Sequence, residues 1–260
     1  MAGAVFSPDA ALPGLTVVPS PNHGPRAAGA VVDLLVLHYT GMPDGPAALL
    51  RMCQAEAQVS AHYMVEEDGT VFQLVPEARR AWHAGVACWR GRADVNSHSI
   101  GIEIVNPGHE FGYRPFPAVQ MQAVTALCRD ILSRHPAISP GGVVAHADVA
   151  PARKEDPGEL FDWRFLAAQG VGLFPSPGEG QATPADAAAL LRRIGYPLGD
   201  GDAETPDGLR AALVAFQRRY RPADLSGQPD AQTLAMLSAV AQALSGQGPK
   251  KGPEKAPEEG

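Results

Sequence analysis

Seven residues, VVDLLVL at 31–37, constrain this 260-residue chain more than any other stretch. The run is short, branched and almost wholly apolar, which suits a buried strand. A Gly-containing segment precedes it, Thr40 and Gly41 follow it, and His38 stands where it ends. Residues 61–65 and 70–75 flank Asp68-Gly69, a pair that tolerates the positive φ angles of a tight turn, so they are expected to form a hairpin. In IGIEIV at 100–105, alternation puts Ile100, Ile102 and Ile104 on one face and Gly101 and Glu103 on the other. Residues 117–134 read as a helix, with Val124, Leu127, Cys128, Ile131 and Leu132 on one stripe and His135-Pro136 ending it. A short strand at 142–145 then delivers His146 into a loop.

Two domains are expected. After a brief helix at 163–168, residues 170–183 are dense in Gly, Pro and Ser without periodicity, as in a linker between a first domain at 1–169 and a second at 184–245. The second reads as three helices, at 184–194, 205–220 and 231–244. Leu213 and Phe216 would be core, whereas Arg218, Arg219 and Tyr220 would be surface residues. The tail at 246–260 holds nothing to bury and is expected to be disordered.

With 45% apolar and 19% charged residues, the composition is that of a globular protein. A net charge of -7 without a Lys/Arg cluster excludes nucleic acid and anionic membranes as principal partners, and a monomer is expected. Three cysteines, Cys53, Cys88 and Cys128, are an odd number without CxxC spacing, and the first residues lack a basic segment followed by an apolar one. Both features favour the cytoplasm.

Of eight histidines, His38 and His146 fall at strand ends, and Asp156 follows His146 by ten residues across a Pro-containing loop. Zinc accepts imidazole nitrogen and carboxylate oxygen, and three protein ligands leave a fourth position for water. Spacing alone leaves a second reading open, in which the histidines are hydrogen-bonded strand ends and Asp156 caps a turn before Pro157-Gly158.

The stretches LHYTGM (37–42), SAHYMVEEDGTVFQLV (60–75), AWHAG (81–85), WRG (89–91), NSHSIGIEIVN (96–106) and AHADVAPARKEDPG (145–158) resemble, in order, the N-acetylmuramoyl-L-alanine amidases of the AmpD and AmiD type. RRIGYPLGD, AFQRRYRP and GQPDAQT look like the small peptidoglycan-binding domain often attached to them, and together these blocks span roughly residues 30 to 240. The resemblance implies an α/β fold with a mixed central sheet flanked by helices, plus a three-helix bundle. It also implies zinc on His38, His146 and Asp156, with Glu103 as catalytic carboxylate and Lys154 as second catalytic group. Ala147 and Ala152-Arg153 depart from the usual loop residues without removing any of these groups.

The activity implied is hydrolysis of the amide between N-acetylmuramic acid, including its 1,6-anhydro form, and L-alanine in peptidoglycan or soluble muropeptides. A non-catalytic peptidoglycan-recognition protein is the alternative, and loss of a metal ligand would be its signature. Tyr39, Trp82, His83 and Arg153 are candidate substrate contacts, although Tyr39 and His83 could equally serve packing. His62, inside a strand, reads as structural. A wall-binding bundle pulls localisation towards the periplasm, against the cytoplasmic signs.

Overall fold

The computed structural model describes residues 6–178, 182–199 and 204–246. Among the described residues eight strands form, β1 (Thr16–Val17), β2 (His23–Gly24), β3 (Leu34–Tyr39), β4 (Tyr63–Val65), β5 (Val71–Gln73), β6 (Arg80–Ala81), β7 (Ser99–Ile104) and β8 (Val143–Ala145). The α-helices are α1 (Gly45–Cys53), α2 (Val95–His98), α3 (Gly108–Phe111), α4 (Ala118–Arg134), α5 (His146–Val149), α6 (Trp163–Ala168), α7 (Ala187–Ile194), α8 (Pro206–Tyr220) and α9 (Ala231–Ser245). Six strands make a mixed sheet in the order β1-β5-β4-β7-β3-β8, and β2 pairs with β6 beside it. β3, β7 and β8 run parallel, as do β4 and β7, while β4 and β5 form the antiparallel hairpin around Gly69.

The apolar run lies inside the sheet, as its lack of a polar face requires. It pairs three residues later than the sequence predicts: Val31 is exposed, and Asp33 leads into the ladder with its amide on the His98 carbonyl and its side chain in an ion pair with Arg92. The shift puts His38 within the strand, with Tyr39 as its last residue. Register then decides which side chains share a face: Leu34, Val36 and His38 pair with Ser99, Gly101 and Glu103, so all six point one way. Leu35, Leu37, Ile100, Ile102 and Ile104 point the other way and share a buried cluster with Val124, Leu127, Cys128 and Ile131 of α4. Each such Leu or Ile contributes about 1.5–3 kcal/mol by burial. The buried Gln120 amide anchors the first turn of α4, donating to the Val65 and Val105 carbonyls at the strand ends.

The side that carries His38 and Glu103 is covered by α1, whose Ala48 and Met52 pack with Met64, Leu74 and Val105. The sequence reading passed over α1, although Asp44 caps it by accepting from the Ala47 amide and a proline stands in its first turn.

The helical segment is not a tethered satellite. Its Leu191, Phe216, Leu237 and Val240 belong to the same continuous hydrophobic cluster as the strands. Val171, at the start of the segment expected as a linker, is itself buried, and Leu173 and Phe174 pack on the core. Residues 179–181 and, within the expected disordered tail, 247–260 lie outside the described residues. Among the described residues no helix is long and apolar enough to cross a membrane.

Arg219 and Tyr220, read as surface residues, are buried against the edge strand β8. The Arg219 guanidinium stacks on the Trp163 ring at 4.0 Å and donates to the Val143 carbonyl at 3.0 Å and to Asp148 Oδ2 at 2.8 Å. Asp148 also accepts from the Tyr196 hydroxyl and from the Ala145 amide. Thus α8 and the loop before it grip the β8–α5 junction, the turn from which His146 emerges. An acidic and a basic residue read separately look like surface residues, yet buried together they satisfy one another.

Replacing Arg219 by Met leaves the Asp148 carboxylate buried without its cation. The unfolding free energy measured by urea titration is expected to fall by about 3–5 kcal/mol. Arg218→Met, which breaks the part-exposed pairs with Glu155 and Glu159, is expected to cost only about 0–1 kcal/mol.

Candidate active site and metal centre

Three elements bring the candidate ligands together. β3 presents His38 from the sheet, α5 begins with His146 as the chain leaves β8, and the loop after α5 returns so that the Asp156 carbonyl accepts from the Ala147 amide at 3.0 Å. His38 Nδ1 lies 2.9 Å from His146 Nδ1 and 3.1 Å from Asp156 Oδ2, and His146 Nδ1 lies 3.0 Å from the same oxygen. All three residues are buried.

These spacings test whether the donor set fits a metal. His146 Nε2 is 3.0 Å from the Ala84 carbonyl, which can only accept, so the ring proton sits on Nε2 and Nδ1 offers a lone pair. That lone pair faces the Asp156 carboxylate and a second imidazole nitrogen, a gathering of negative density that needs a cation. Tetrahedral ligands at about 2.0 Å from zinc stand about 3.3 Å apart, close to what is seen. Burial alone would raise the Asp156 carboxyl, but the two imidazoles packed against it outweigh burial and hold the group ionised well below the usual carboxylate range. Burial and the neighbouring His146 lower His38 to about 4, so it stands as the neutral imidazole that a metal requires.

A groove of about 570 Å³ opens over this cluster, and Glu103, Lys154 and Trp82 line it. Glu103 pairs in register with His38 on the adjacent strand. Its Oε2 is buried with no hydrogen-bond partner in the protein. Burial, reinforced by the Asp156 charge and partly opposed by Lys154, raises its carboxyl well above the ordinary value. A carboxyl so placed can carry a proton near neutral pH, the property wanted in a general acid and base.

The remaining sequence candidates divide. Tyr39 borders the groove and its hydroxyl is 3.0 Å from His109 Nδ1, while Trp82 lines the wall. Arg153 turns its guanidinium onto the Ala84 and Val86 carbonyls and so braces the loop that partners His146. His83 is buried, with one ring nitrogen 3.0 Å from His38 and the other 3.1 Å from Ser99, so both are engaged within the protein. His62 is likewise occupied, accepting from the Gly101 amide and meeting the Arg79 carbonyl. The sequence gives no role to His109, which joins Tyr39 to Glu159, and places Arg218 on the surface, whereas it ion-pairs with Glu155 and Glu159 on either side of Asp156. Only the position of Glu155 and Glu159 around a candidate ligand could have signalled that link.

The chain has relatives among known proteins. The family model described as N-acetylmuramoyl-L-alanine amidase matches residues 28–159. The chain is 39% identical over 240 residues to the N-acetylmuramoyl-L-alanine amidase AmiD of Escherichia coli, covering 84% of this chain and 85% of that one. It is 34% identical over 169 residues to the 1,6-anhydro-N-acetylmuramyl-L-alanine amidase AmpD of E. coli, covering 58% of this chain and 90% of the relative. A solved structure of E. coli AmiD with the substrate anhydro-N-acetylmuramic acid-L-Ala-D-gamma-Glu-L-Lys superimposes with a TM-score of 0.73 at 37% identity, covering 84% of this chain and 92% of that one.

The Glu103 environment sets a stability cost that depends on pH. Its folded-state affinity for a proton exceeds the unfolded one, so its contribution is complete below about 4.5, the ordinary value, and is lost as pH rises through the higher folded value. In metal-free protein, Glu103→Gln is therefore expected to match the parent in urea unfolding at pH 4 and to exceed it by about 1–3 kcal/mol at pH 8.

Proposed function

The chain belongs to the N-acetylmuramoyl-L-alanine amidase family, and from that membership we propose that zinc held by His38, His146 and Asp156 serves hydrolysis of the bond between N-acetylmuramic acid and L-alanine in muropeptides. The observation that carries the reading is the convergence of three lone-pair donors beside a buried carboxyl at the floor of one groove.

When bound, zinc supplies a Lewis-acid centre that makes water acidic and polarises a carbonyl. Glu103 takes the proton of the attacking water and passes it to the amide nitrogen, so that L-alanine leaves as a neutral amine. Lys154 places a cation where negative charge grows on the lactyl carbonyl oxygen. Trp82 offers a flat apolar wall for sugar or peptide, and Tyr39 sits at the rim. A recognition protein without chemistry would be expected to lack a ligand, and this chain has all three.

Soluble anhydro-muropeptides are the proposed substrates, by analogy with the ligand named for the AmiD complex. We propose the cytoplasm as its compartment, on the odd count of three cysteines without CxxC spacing.

Chelation is expected to abolish release of L-alanine-linked peptide, followed by chromatography, and added zinc to restore it. Activity untouched by metal depletion would sink the reading. Glu103→Gln should lower kcat by about 10²–10⁴-fold with KM little changed. Offered side by side, soluble anhydro-muropeptides should be cleaved faster than intact sacculi, and rapid sacculus digestion would overturn the substrate and compartment assignments.

A further inference from the structure

We propose that His83 and Ser99 are positioning residues that fix the tautomer of His38 through a one-way hydrogen-bond chain anchored on the Val95 carbonyl. The proposal rests on the reading of His38 as a metal ligand. The Val95 carbonyl can only accept, and Ser99 Oγ lies 2.7 Å from it, so the hydroxyl gives up its single proton there. Ser99 then has only lone pairs to offer His83 Nε2 at 3.1 Å, and that nitrogen must bring the proton. The two ring nitrogens of His83 meet only an imidazole and a hydroxyl, so no anion is there to hold a second proton in this buried place and the ring carries one. Its Nδ1 therefore accepts, and the donor 3.0 Å away is His38 Nε2–H. With its proton on Nε2, neutral His38 turns a lone pair at Nδ1 towards His146 and Asp156.

Two further observations show that the chain is built in. The His83 ring lies over Gly101, where a Cβ would stand 2.5 Å from the ring, so this strand position has room for the imidazole only as glycine. Asn96 Oδ1 accepts from the backbone amides of both His83 and Ala84, at 3.2 and 2.9 Å. One dipeptide thus serves both imidazoles: the His83 ring orders His38, and the Ala84 carbonyl orders His146. Such outer partners typically change metal affinity about 10- to 100-fold.

The test is ring-nitrogen NMR on the full chain, metal-free and zinc-loaded, with zinc affinity measured by chelator competition. His83 should be the Nε2–H tautomer in both states and His38 the Nε2–H tautomer in the metal-free one. A proton on His83 Nδ1, or on His38 Nδ1 without metal, overturns the proposal. Ser99→Ala should allow a mixed His83 tautomer and weaken zinc binding about 10-fold. His83→Phe, which keeps a ring over Gly101, should weaken it at least as much while the melting temperature stays above that of Gly101→Ala. A variant that keeps both the parent tautomer and the parent affinity counts against the chain. Failure of the parent protein to take up zinc would instead fell the metal reading, and the metal-free spectra still decide the tautomers.

Discussion

The parallel pairing of β3 with β7 is the constraint on which the rest hangs. In that register His38 and Glu103 are neighbours, and Val36, Gly101, Leu34 and Ser99 line up behind them on the same face. A slip of β7 by one residue would turn Glu103 into the cluster under α4 and bring Ile104 or Ile102 to the groove beside His38. The slip is opposed by the isoleucines themselves, each fully buried on the opposite side. The chemistry of one face is thus held in place by hydrophobic burial on the other.

Much of this was legible because it is local. Period-2 alternation gave the facing of Glu103 and the small residue beside it, and the helix at 118–134 followed from its stripe and the proline after it. What was not legible is long-range. No pattern in the sequence tells how near Asp156 comes to His38, since that distance depends on a loop closing over α5 and on a sheet assembled from distant segments. The Arg219 error has the same origin. An arginine near the end of a helix reads as solvated, and only the position of Asp148, 71 residues earlier in the chain, makes its burial favourable. For His83 the sequence leaves groove and packing open, and the decisive facts, an imidazole on one side and a serine on the other, lie on β3 and β7.

The site opposes stability at several points. Glu103 keeps a carboxylate oxygen without a partner, and three lone-pair donors converge within 3.1 Å. Folded alone, this arrangement repels itself, and a bound cation would turn the same repulsion into affinity. The surrounding protein supplies the rigidity: Arg153 and Asn96 fix the loop at 83–86, and Asp148, held by Arg219 and Tyr196, fixes the turn that carries His146.

The grip of α8 on the β8–α5 junction bears on how such a chain can change over evolutionary time. A module joined by a loose tether can be lost, duplicated or exchanged at the cost of one linker. Here the junction is a shared interior, with a salt bridge and a carbonyl of the edge strand satisfied from the far side. The helical segment and the sheet must therefore drift together, each substitution at Asp148, Tyr196 or Arg219 answered by its partner. In this chain the bundle and the sheet close a single interior between them.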